Sequence, residues 1–280
     1  MKSAALTIIG IMLIWSGIAQ SPMPFQLTAK KEAWVTGSAL PVVATSFVLG
    51  KKLQPLTAAE ISLLDANDIN RLDRFTVNNF SEKVIKRSDI TLNTMLGLGL
   101  ASNFIVPAIF SSSDPYGRQL GTLGMIWFET NLVNYALTEI VKTSVKRSRP
   151  FLFGDQAPDE LRFGTDARKS FFSGHASFTA ANSFYVANII TSYQKGNKWN
   201  PVIWGAASLP PLLVAFQRVR AGKHFPTDVA VGYIVGAACG ILIPKLHEVQ
   251  LSVKSTSQVG GQKTHGMKLS VNLLNVKMVF

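Results

Sequence analysis

The sequence predicts an all-α fold: a bundle of about six core helices with a short C-terminal β-hairpin. Three observations predict it. Six apolar stretches of helical length stand at 33–49, 91–110, 121–141, 174–191, 201–216 and 229–243. Polar, proline- and glycine-bearing segments separate them. Period-two alternation appears only near the end, where 249–253 and 267–280 flank Gly260-Gly261-Gln262-Lys263.

The elements follow in order. Met1-Lys2, an apolar run to Trp15 and small residues through Ala19-Gln20-Ser21 have the three parts of a secretory signal. Residues 1–20 therefore read as a signal peptide and the protein as exported, with an uncleaved first anchor as the alternative; 21–32 is an exposed leader. The stretch 33–49 is apolar but carries Thr36, Ser38, Pro41, Thr45 and Ser46. A polar insert, 51–90, has a helix N-cap at Thr57 before Ala-Ala-Glu and reads as one or two amphipathic helices. After 91–110, residues 111–117 form a turn. The stretch 121–141 contains Glu129, Asn131, Asn134 and Glu139. Two unpaired carboxylates do not face lipid, so this helix belongs inside the bundle, its glutamates paired with basic groups of a pocket. Residues 151–170 form a polar loop, 174–191 a helix of small and apolar residues, and 201–216 a helix that Pro210-Pro211 should kink or break. The cleanest apolar helix is 229–243. The main domain is then 33–246, and 247–280, with His247 and His265, is a tail.

Lys and Arg number 28 against 16 acidic residues, a net charge of +12. That excess suits an anionic substrate or membrane surface, or simply a solvated basic face. No basic run is interleaved with aromatics, which argues against a nucleic-acid partner, and no protein partner is predicted. Cys239 is the single cysteine, forms no internal disulfide and reads as a small core residue. No carboxylate cluster or His-x3-His pattern offers a metal site.

Three clusters carry chemistry. Arg218, His224 and Asp228 stand at R-x5-H-x3-D spacing just before an apolar helix. Pro226 suits that helix's first turn, which puts Asp228 near its N-terminus and His224 on the loop ahead of it. A histidine nucleophile, a carboxylate to hold its ring and a fixed cation at a helix N-terminus make an oxyanion pocket. Lys142 and Arg149, before Pro150, are seven residues apart, close to two helical turns, so both should point to one face. Ser173-Gly174-His175 opens another helix with a hydroxyl, a glycine that lets backbone approach closely, and exposed N–H groups.

Together, Lys142-x6-Arg149-Pro150, Ser173-Gly174-His175 and Arg218-x5-His224-x3-Asp228 resemble the three signature motifs of the type 2 phosphatidic acid phosphatase (PAP2) superfamily. That superfamily includes class A acid phosphatases, lipid phosphate phosphatases and vanadium haloperoxidases. The resemblance covers about 121–246. Phe172 and Gln217 stand where the family pattern has proline and serine. The resemblance implies a PAP2-type helical bundle and a metal-independent phosphatase. In it His224 is the nucleophile that forms a phosphohistidine, Asp228 holds its ring, and His175 protonates the leaving group and then activates water. Lys142, Arg149, Ser173, Gly174 and Arg218 bind the phosphoryl oxygens. The substrates implied are small phosphomonoesters or lipid phosphates and diphosphates of the cell envelope. No cofactor is implied, and vanadate would inhibit. The alternatives are a haloperoxidase, for which vanadate is the cofactor, and an anion-binding pseudoenzyme. The six stretches match the membrane-bound branch, with the site facing the periplasm from the inner membrane; a soluble periplasmic bundle is the other reading.

Overall fold

The structure, a computed structural model, describes residues 22–110, 113–249, 268–272 and 275–279. The signal expected at 1–20 lies outside these residues. Among the described residues six long helices form the main unit: α1 (Ala29–Lys51), α2 (Glu82–Ile109), α3 (Tyr116–Val145), α4 (Gly174–Tyr193), α5 (Asn200–Arg220) and α6 (Pro226–His247). Each is longer than its apolar stretch because polar caps extend it. The Ser81 hydroxyl accepts from Val84 N at the start of α2, and Ser173 does the same for Ala176 N at the start of α4. Pro226 opens α6, and the Asp228 carboxylate accepts from Phe225 N at 2.9 Å.

Buried along most of its length, α4 is the axis, packed against α2, α3, α5 and α6. It runs parallel to α6 in close contact. Gly232, Gly236 and Gly240 of α6 face Ser173, Ser177 and Ala181 of α4, and a Cβ on any of these glycines would lie 2.0–2.4 Å from the facing carbonyl oxygen. Only hydrogen at these positions allows the two backbones to meet. Polar side chains of the interior pair across the helices. Trp127 donates to Asn182 Oδ1 (2.8 Å), Asn182 donates to Asn131 Oδ1 (2.9 Å), and Tyr185 donates to Asn103 Oδ1 and to Leu123 O. Apolar side chains such as Trp34, Phe47, Phe104, Leu209, Phe216 and Ile234 point outward. α1, α2, α5 and α6 are long and apolar enough to cross a membrane. Apolar outside and hydrogen-bonded inside, this is the construction of a membrane protein.

Four sequence expectations change. Pro210 and Pro211 do not break α5, which is continuous through both. Pro211 leaves the Ala207 carbonyl without its helical N–H, and Ser183 of α4 donates its hydroxyl to that oxygen at 2.6 Å. The insert holds only a one-turn helix, Ala58–Ser62, with the expected Thr57 cap closed into a capping box by Glu60, then two 3₁₀ turns; its end is the start of α2. The hairpin expected between 249–253 and 267–280 is not seen. Most of its first strand lies outside the described residues, and Lys268–Asn272 pairs antiparallel with Asn275–Val279 instead. These strands belong to a second unit, Val249–Phe280. His247, expected in the tail, is the last residue of α6 and fully buried.

Candidate active site

The predicted residues gather where α4 and α6 begin and α3 and α5 end. α5 stops at Arg220, and Gly222 turns the chain at φ +66°, where a Cβ would lie 1.8 Å from Asn79 O. Only glycine makes that turn beneath the 51–90 segment. The turn delivers His224, which is 1% exposed. Its Nδ1 lies 2.7 Å from Ser170 O. A carbonyl only accepts, so Nδ1 carries the ring proton and Nε2 presents its lone pair. Arg149 Nη1 approaches that lone pair at 3.1 Å and also donates to Lys223 O at 2.7 Å. Burial, followed by Arg149, Arg218 and Lys142, pushes the His224 pKa well below the ordinary histidine value. The imidazole is therefore neutral at physiological pH, the form a nucleophile needs.

His175, second residue of α4, has its Nε2 2.7 Å from Asp89 Oδ1. Burial first and then Arg218 lower its pKa to about 4, against the pull of Asp89. Arg218 is 3% exposed; its Nη1 donates to Ser88 Oγ at 3.0 Å and lies 3.6 Å from Asp89, and its Nε has no hydrogen-bond partner. Lys142 lies against the start of α4, where a Cβ on Gly174 would be 3.1 Å from its Nζ. Ser173 Oγ accepts the capping bond, which leaves its own proton free to donate. Two helix N-termini, three cations and two neutral histidines thus converge on one point, an arrangement that binds an anion with several oxygens.

The details depart from sequence reasoning in three ways. Lys142 and Arg149 do not share a helical face: α3 ends at Val145, Lys146 takes a left-handed conformation at φ 53°, and Arg149, extended before Pro150, returns from the loop. The two charges still meet, since Arg149 is among the groups lowering the Lys142 pKa, after burial. Asp228 Oδ2 is 3.7 Å from His224 Nδ1 and does not receive its proton. The Asp228 carboxylate accepts instead from Ser170 Oγ, Phe225 N and Arg147, so it positions the residue whose carbonyl holds the ring. Of the two glutamates expected at the pocket, Glu139 pairs there with Lys142 (3.4 Å) and Lys169 (3.8 Å), whereas Glu129 does not.

Several participants were missed. Asp89 partners both His175 and Arg218; its one sequence signal is that no charge follows it until Asp114. Asp73 is fully buried and binds Arg147 and Thr227; against the upward pull of burial these bonds hold its pKa low. Asp166 clamps Arg149 from the 151–170 loop. Lys223 lies 5.1 Å from the centre of the Phe151 ring, and burial, then Arg149, pushes its pKa down to about 8. Among the described residues, the carboxylate and histidine group close enough to hold a metal ion lies elsewhere, at Glu32, Glu129 and His247.

The PAP2 superfamily model matches residues 123–251. The chain is 28% identical to rat phospholipid phosphatase 1 over 130 residues, which is 39% of this chain and 46% of the relative. It is 31% identical to decaprenylphosphoryl-5-phosphoribose phosphatase of Mycobacterium tuberculosis over 111 residues, 40% and 54% of the two chains. Undecaprenyl-diphosphatase of Sulfolobus acidocaldarius is 30% identical over 120 residues, 43% and 52%. The chain spans about half the length of these curated relatives. No solved structure matches it significantly.

Proposed function

We propose that this chain, whose residues 123–251 match the PAP2 superfamily model, is a phosphatase of lipid phosphates or diphosphates in the cell envelope, acting through a phosphohistidine. The observation that carries this reading is the state of His224. Its Nδ1 proton is held by the Ser170 carbonyl, and its Nε2 lone pair faces the place where Arg149, Arg218 and Lys142 would hold a phosphoryl group.

In the first step the Nε2 lone pair forms a bond to phosphorus while the bond from phosphorus to the leaving oxygen breaks. His175 gives that oxygen a proton. The free site holds His175 neutral, and a phosphate dianion among the cations raises its affinity for a proton, so substrate binding arms the acid. In the second step His175 takes a proton from water, the water oxygen attacks phosphorus, and the P–N bond breaks to release phosphate and restore the lone pair. Guanidinium and ammonium groups and the two helix N-termini stabilise the charge on the equatorial oxygens, work that needs no metal in this pocket. Names of the relatives support a lipid substrate: phospholipid phosphatase, decaprenylphosphoryl-5-phosphoribose phosphatase and undecaprenyl-diphosphatase. The outward apolar faces of α1, α2, α5 and α6 would present such a substrate's phosphate from the bilayer. We place the site on the periplasmic side; a protease-accessible tag in the 151–170 loop reads that side directly.

The test is trapping. Brief reaction with radiolabelled substrate and denaturation should leave label on the protein as an acid-labile, base-stable adduct, and His224→Ala should lose both adduct and turnover. Turnover near the wild-type rate in that variant would show that another group is the nucleophile.

A further inference from the structure

At the far end of the bundle, His247 is held by a hydrogen bond that fixes its tautomer. Nδ1 lies 2.9 Å from the carbonyl of Ile243, which only accepts, so Nδ1 carries a proton. In the neutral ring Nε2 is then a bare lone pair. It points at two carboxylate oxygens, Glu32 Oε1 at 3.0 Å and Glu129 Oε2 at 3.2 Å. Three acceptors converging on one place require a positive charge between them. Glu129 and His247 are fully buried, and Glu129 Oε2 makes no hydrogen bond.

The other polar atom of each residue is anchored from outside the group. Glu129 Oε1 accepts from the Thr36 hydroxyl (3.0 Å), Glu32 Oε2 accepts from Thr28 N (2.8 Å), and the His247 N–H goes to Ile243 O. Such outer bonds orient metal ligands and leave one free atom on each. The three free atoms lie within 4.8 Å of one another. Donors of a tetrahedral ion with bonds near 2.0–2.1 Å stand about 3.3 Å apart, close to the two distances here. Charge also favours an ion. Two carboxylates with an imidazolium leave a net negative charge buried between helices, whereas a dication with a neutral imidazole leaves none.

We propose that Glu32, Glu129 and His247 bind a divalent transition-metal ion of the zinc class, which staples the start of α1 to the middle of α3 and the end of α6. Nitrogen and carboxylate ligands in this number suit zinc or cobalt and leave a fourth position for water. The role is structural. At 1.5 Å per residue, Glu129 is about 20 Å along α3 from Lys142, and His247 about 28 Å along α6 from Asp228. The same corner already ties α1 to α6: Lys31 Nζ donates to Leu246 O (2.7 Å) and Gln26 N to His247 O (2.9 Å).

The test uses the full chain in detergent, its purification tag removed, stripped with a chelator and then titrated. With Co²⁺ the wild type should take up one ion per chain and show the visible d–d absorption of a tetrahedral site, which Zn²⁺ then abolishes. Zn²⁺ at about 100-fold over its dissociation constant should raise the Tm by about 5 °C or more. Glu129→Gln and His247→Gln should lose both responses. If either variant fails to fold, the wild-type spectrum and melting shift still decide. Absence of cobalt absorption and of any zinc-dependent shift in the wild type overturns the proposal and leaves an imidazolium as the central charge. A response to Mg²⁺ or Ca²⁺ alone overturns it equally. Phosphatase turnover well below the Tm should be the same with and without chelator, so this result is independent of the assignment at His224.

Discussion

Replacing Gly232 by alanine tests whether the α4–α6 contact sets the geometry of the pocket. The new Cβ would lie 2.4 Å from Ser173 O, 3.3 Å from Ser173 C and 3.4 Å from the Ala176 Cβ. An ordinary carbon–oxygen contact is about 3.2 Å or more, so the helices must part by about 0.8 Å, and the two nearest atoms, Ser173 O and C, are backbone. Overpacking of this kind costs about 1–3 kcal/mol, which in a chain of this size lowers the Tm by about 2–10 °C. The displaced parts are Ser173, which caps α4 just before His175, and the first turn of α6, which carries Asp228. Misplacement approaching 1 Å in a phosphoryl-transfer site costs up to about 100-fold in kcat. Gly205 of α5 is the control: a Cβ there meets nothing within 4 Å. Gly205→Ala should leave kcat unchanged and raise stability by about 0.5–1 kcal/mol through helix propensity. The assay is steady-state turnover on a soluble phosphomonoester together with thermal melting of both variants. Wild-type kcat and Tm in Gly232→Ala would refute the idea that this contact fixes the site.

Three further outcomes are expected. His175→Ala should lose about 100-fold or more on an alkyl phosphate but far less on p-nitrophenyl phosphate, whose leaving group needs no proton; equal losses with no burst of nitrophenol would reverse the roles of the two histidines. In phosphate-free buffer the Tm should fall as pH drops from about 6.5 toward 4, because unfolded histidine binds a proton near 6.5 while folded His175 resists until about 4, and His224 resists too, so the unfolded state holds more protons across that window. Saturating phosphate should raise the Tm and flatten that fall, and a melting temperature that climbs on acidification would contradict the charge arrangement. Asp228→Asn should impair activity through Ser170 and Arg147 rather than by freeing the ring, so its loss should be smaller than that of His224→Ala and accompanied by a lower Tm, which melting and turnover measured together will show.

The long helices and the cluster of motif residues were legible because each motif borders an apolar run, and a helix end has a sequence signature in proline, serine or aspartate. Roles that depend on a third partner were not. The 3.7 Å between Asp228 and His224 follows from Ser170 standing between them, and Ser170 lies in a loop with no periodicity. Asp89 was hidden in a segment that looked like an insert, since nothing local says that α2 will carry it to α4. The break allowed at Pro210 and Pro211 does not occur because the group that satisfies Ala207 O sits on another helix, at Ser183. Glu129 was assigned to the wrong end of the bundle: helical spacing puts it on an inward face but does not say which neighbour meets it.

The glycine contacts between α4 and α6 also bear on how turnover ends. The two helices run parallel, so both aim their positive ends at the same place, where α3 and α5 also bring their C-terminal ends. Lys142 and Arg149 still repel one another across the pocket. Inorganic phosphate, the second product, relieves that repulsion as well as the substrate's own phosphoryl group does. For the proposed phosphatase, such a pocket would capture phosphate readily and release it reluctantly, so escape of free phosphate would be the slow event of each cycle.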